Sequence, residues 1–62
     1  MRKFNFIVIP DIPTLKPSFH MTRRQAWARI KANQRDWGQH QTTVKAVEPE
    51  TNKLRVVWIG IA

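Results

Sequence analysis

Apolar residues run together along residues 4–9 and 54–61, recur at helical spacing through residues 23–37, and alternate with polar ones over 42–47. The first stretch is rich in aromatic and β-branched residues. It predicts a strand from Phe4 to Ile9, with Phe4, Phe6 and Val8 on one face and Ile7 and Ile9 on the other. Pro10, Pro13 and Pro17 then lock φ and remove backbone donors, so the chain to Met21 reads as a long Pro-rich loop. Ile12, Leu15 and Phe19 are its candidate anchors to the body. Thr22, with Gln25 three residues on, has capping-box spacing ahead of good helix formers, which predicts a helix over Arg23–Trp37. Gly38 supplies a left-handed stop. At roughly 100° per residue, Ala26, Ile30 and Trp37 share one stripe flanked by Trp27 and Gln34.

Thr42–Val47 and Leu54–Ile61 read as a hairpin, with Pro49 suited to a turn and Asn52 to a left-handed residue that closes it. The last strand is apolar on both faces, as expected of a central strand or of one covered by a partner. Together these elements predict a single small α+β domain in the order strand, helix, strand, strand. One helix packs on a three-stranded, mainly antiparallel sheet, and the Pro-rich loop follows the first strand.

Sixty-two residues support one thin core, of a size that rarely supplies more than about 3–5 kcal/mol without a disulfide, a metal or a partner subunit. The chain has no cysteine, which suits a reducing, cytoplasmic setting. The apolar run near the start is short, contains Asn5, stops at Pro10 and lacks a small-residue cleavage site, so it does not read as a signal peptide. No stretch approaches the ~18 apolar residues of a membrane span.

Charge is the most informative feature of the composition. Eleven Lys and Arg stand against Asp11, Asp36, Glu48 and Glu50, a formal net charge of +7. A small body so charged attracts polyanions. On the helical wheel Arg24, Lys31 and Arg35 fall on one stripe beside Ala28 and Ala32, while Arg29 points elsewhere. Arg2, Lys3, Lys45, Lys53 and Arg55 add charge on strands or at their ends. Trp27, at the edge of the apolar stripe, is the tryptophan best placed for an interface rim, whereas Trp37 and Trp58 read as core.

His20 and His40 form no His-x-x-x-His or Glu-x-x-His spacing, no cysteine is present to complete a zinc site, Ser18 is the sole serine, and no Gly-rich phosphate loop exists. No catalytic residue, metal or cofactor is therefore expected. The expectation is a small basic binding protein in which Arg24, Lys31, Arg35, Lys45, Arg55 and Trp27 contact nucleic-acid phosphates in a regulatory or accessory role. Its rival is a small inhibitor or adaptor of the phage type, docking on an acidic surface of a larger enzyme. A homodimer through the C-terminal strand is the further expectation, because one helix covers only one sheet face.

Overall fold

The computed structural model describes residues 4–62, which form β1 (Phe6–Pro10), β2 (Ser18–His20), α1 (Arg23–Trp37), β3 (Gln41–Val47) and β4 (Leu54–Ile61). All strand pairs are antiparallel, in the order β2-β1-β3-β4. The domain is thus α+β, one helix on an antiparallel sheet. The sheet has four strands rather than three, because Ser18–His20, expected within the Pro-rich loop, pairs with β1. The pairing sets Phe6 opposite His20, Ile7 opposite Phe19 and Val8 opposite Ser18. Pro17 fits ahead of it because an edge strand needs amide donors on one side only. Ile12 and Leu15 are half-buried, but Phe19 remains 58% exposed, its ring meeting Phe4 edge-on at 4.8 Å.

α1 starts at its cap. The Gln25 N–H donates to Thr22 Oγ1 at 3.2 Å, and Gln25 Oε1 accepts the Thr22 and Met21 N–H groups at 3.3 and 3.0 Å. These bonds satisfy donors that a helix N-terminus leaves unpaired. At the other end the Gly38 N–H donates to the Gln34 carbonyl at 2.8 Å. Gly38 has the expected positive φ (78°), yet its ψ of 178° is extended and sends the chain straight toward β3.

The buried helix face is Ala26, Ile30 and Asn33. Trp37 is not on it in practice, being 49% exposed. A helical wheel gives direction around the axis but not where the supporting sheet ends, and α1 packs on β1 and β2. The core is small: Val8 and Val44 are fully buried under Ala26 and Ile30, with Phe6, Trp27, Trp58 and Ala62 around them. Each such valine is worth about 1.5–3 kcal/mol.

Val8, Val44 and Trp58 lie opposite one another across β1, β3 and β4, and this row faces the helix. One step further the register shifts. Val44 pairs with Trp58 but Lys45 pairs with Val56, so Val57 is an extra residue in β4. The bulge breaks simple strand alternation, which would put Val56 on the face of Trp58 and Val57 on that of Ile59. Val57 instead lines a depression with Phe6, Arg23, Trp27 and Trp58 on the helix side. Val56 joins Ile7 and Lys45 in one row, beside the row of Ile9, Thr43 and Ile59, on the face turned away from α1. β4 is also an edge strand, not a central one, and Leu54, Val56, Ile59 and Ile61 are all exposed. The turn before it closes as expected, with Asn52 at φ 57° and the Glu48 N–H donating to the Lys53 carbonyl at 2.8 Å. Among the described residues no helix is long and apolar enough to cross a membrane.

Candidate functional site

The helix wheel determines which cations meet. Residues 24, 31 and 35 lie opposite the buried positions 26, 30 and 33, so Arg24, Lys31 and Arg35 are all exposed on the outer side of α1. They span about 16 Å along the axis at 1.5 Å per residue. Arg24 and Lys31, with Arg23, Trp27 and Ala28, line an open depression of ≈ 520 Å³. Its lining contains three cations and no acid. Ala28 keeps the floor low, so a chain of phosphates or carboxylates could approach the helix backbone closely.

Trp27 forms one wall. It is half-buried, its ring 6.3 Å from that of Trp58 and tilted by 60°, with the Arg23 guanidinium 5.1 Å from its centroid. A ring engaged by a core tryptophan and a cation holds its neighbours in place rather than offering an empty stacking platform. Arg23 itself was not singled out in the sequence. The signal that could have found it is its (i, i+4) spacing to Trp27.

Two carboxylates are already occupied. Asp36 Oδ1 accepts from Arg35 Nε at 3.1 Å, and Glu48 Oε1 lies 3.5 Å from Arg55 Nε. Both pairs are exposed and contribute about 0–1 kcal/mol each. Arg35 is thereby partly neutralised, whereas among the described residues Arg23, Arg24, Arg29 and Lys31 are in no ion pair. The first turn of α1 holds Arg23 and Arg24 and no acid. Cations there oppose the helix dipole, which disfavours them by about 0.3–1 kcal/mol each.

The strand cations divide. Arg55 follows Phe6 and Ala46 in a row on the helix side of the sheet, at the hairpin end. Lys45 is half-buried on the opposite face between Ile7 and Val56, so it does not join the helix stripe. Lys53 is exposed in the hairpin turn, and Arg2 and Lys3 lie outside the described residues.

The histidines sit apart. His20 Nε2 is 2.8 Å from Ser18 Oγ on β2, beside a second depression lined by Gln25, Ala28, Arg29 and Ala32. Burial, and secondly the Arg29 charge, hold its pKa below the usual imidazole value. His40 Nδ1–H donates to the Gly38 carbonyl at 2.8 Å, a bond that fixes the turn into β3. Among the described residues no three His, Asp or Glu side chains are grouped to hold a metal. Compared with known proteins, the chain matches no family model, no curated protein and no solved structure.

Proposed function

We propose that the chain is a non-catalytic basic binding domain that grips nucleic-acid phosphates with the outer face of α1, in a regulatory or accessory role. The observation that carries this reading is the acid-free depression in which Arg23, Arg24 and Lys31 converge beside Trp27. Cations held against the helix dipole, with no carboxylate partner, are a local cost to folding that an anionic partner would offset. Neutral base readers are few on this face, so the contacts favour backbone over sequence. A cytoplasmic setting belongs to the same reading, as the cysteine-free chain suits it.

Binding to duplex and single-stranded DNA at several salt concentrations tests it. If Arg23, Arg24, Lys31 and Arg35 each meet a phosphate, log affinity should fall against log salt with a slope of roughly −3.6 on duplex DNA. Lys31→Glu should weaken binding at least tenfold, and Lys45→Glu, on the other face, should leave it within about twofold. Equal losses from both changes would remove α1 from the mechanism. The rival, a small inhibitor or adaptor on an acidic enzyme surface, draws on the same cations and is favoured by the exposed apolar face behind β4. A folded protein with no measurable affinity for either nucleic acid would turn the assignment to it.

A further inference from the structure

The two edges of the sheet are unlike. β2 is three residues long and follows a proline, which blunts it as a template for pairing. β4 has eight residues, no proline, and cations only at its start. Its backbone directions follow from the neighbouring bonds. The Val47 N–H donates to Asn5 and the Gln41 carbonyl accepts from Asp11, so both groups point toward β1. Leu54 and Ile61, opposite Val47 and Gln41, therefore turn their amide and carbonyl groups outward to the free edge. His40 and Ala62 exchange both bonds, at 2.9 and 3.0 Å, so Gly60 and Trp58 bond inward by alternation while Ile59 points out. Beyond the bulge the same alternation from Leu54 turns Val56 outward. All four residues with free edge groups thus carry exposed apolar side chains, and the fifth exposed apolar residue of the strand, Val57, sits at the bulge.

We infer that β4 pairs antiparallel with β4 of a second copy, in the register that sets Leu54 opposite Ile61 and Val56 opposite Ile59. This register matches every outward-facing residue with another one, giving four hydrogen-bonded pairs about a two-fold axis. It depends on the bulge, which brings residues 54 and 56 onto the same face as 59 and 61 across an odd separation; an unbulged strand in this register would set apolar residues against the opposite face. Charge permits it. Arg55 falls opposite Gly60 of the other copy, and the two Arg55 residues are five strand positions, roughly 16 Å, apart. That exceeds a Debye length of about 8 Å at physiological salt. Stacking of two sheets face to face is disfavoured instead, because Lys45 stands in the middle of that face and would be buried without a partner. α1 packs mainly on β1 and β2 and meets β4 on the face of the sheet, through Trp27 against Trp58, so neither helix obstructs the β4 edge. An axis normal to the sheet puts both helices on one side, about 29 Å apart at the usual strand spacing.

Mass measurement by sedimentation, together with amide exchange followed by NMR on the native chain, tests the pairing. A dimer is expected, with Leu54, Val56, Ile59 and Ile61 amides protected in proportion to dimer formation. Ile59→Pro removes one outward donor and no bond within the protomer, and should give a folded monomer, whereas Ile59→Val should remain dimeric. A monomer at NMR concentrations overturns the inference and leaves the edge to a strand of another protein. A dimer in which those four amides exchange freely overturns it too, since the copies would then meet elsewhere. Nucleic-acid affinity enters neither readout, so the pairing stands or falls separately from the function proposed for α1.

Discussion

The Trp58 ring lies across Gly60, two residues on in the same strand. A Cβ on residue 60 would collide with Cζ2 and sit 2.8 Å from Cη2 and 3.1 Å from Cε2. The glycine is there for space, since the tryptophan fills the corner between β4, Phe6 and Trp27 by lying down on the strand. Gly60→Ala should therefore displace the ring and lower stability by about 1–3 kcal/mol, the range for overfilling a packed site. For a domain of this size each kcal/mol shifts Tm by about 4–8 °C. Thermal unfolding gives the size of the loss, and the Trp58 indole NMR signal should move with it. An alanine variant with unchanged Tm would show that the ring does not need the glycine.

Arg24 should show opposed effects on folding and binding. It lies in the first turn of α1, where the dipole disfavours a cation, and among the described residues it has no ion-pair partner. Arg24→Glu should raise stability by about 0.3–1 kcal/mol. The same change places an acid in the depression shared with Lys31 and should reduce nucleic-acid affinity at least tenfold. Denaturant titration and a binding isotherm on one preparation check both. A variant that loses stability and affinity together would mean that Arg24 supports the fold instead.

What could be read from the sequence follows from the range of each interaction. The bounds of α1 were legible because Thr22, Gln25 and Gly38 act within four residues of themselves. The hairpin turn was legible for the same reason, with Asn52 at positive φ. β2 was not, because three residues after Pro17 have no local strand signal and become a strand only by pairing with β1. The bulge at Val57 and the edge position of β4 are likewise properties of pairing. Arg24, Lys31 and Arg35 shared a face by helical geometry alone, and the fold keeps them together. Lys45 and Arg55 both alternate with apolar neighbours, yet they part to opposite faces, because the β3–β4 register sets Arg55 opposite Ala46 and not opposite Lys45.

His20 gives the domain a pH dependence whose sign is fixed by its surroundings. Burial, first, and the positive charge of Arg29, second, hold its folded-state pKa below 6.5. The folded chain therefore favours the neutral ring, while the unfolded chain takes up a proton as pH falls through 6.5. Between 6.5 and the lower folded value the unfolded state binds more protons, so stability rises with pH. His20's contribution is complete above 6.5 and is lost progressively below it. The denaturation midpoint should accordingly be lower at about pH 5 than at about pH 8, and His20→Gln, which does not titrate, should flatten that difference. An NMR titration of the ring reads the pKa directly, and a value at or above 6.5 contradicts this account. The two causes are separable. Salt screens the Arg29 charge but leaves burial unchanged, so high salt and Arg29→Gln should each raise the His20 pKa part of the way toward 6.5, and neither should raise it fully.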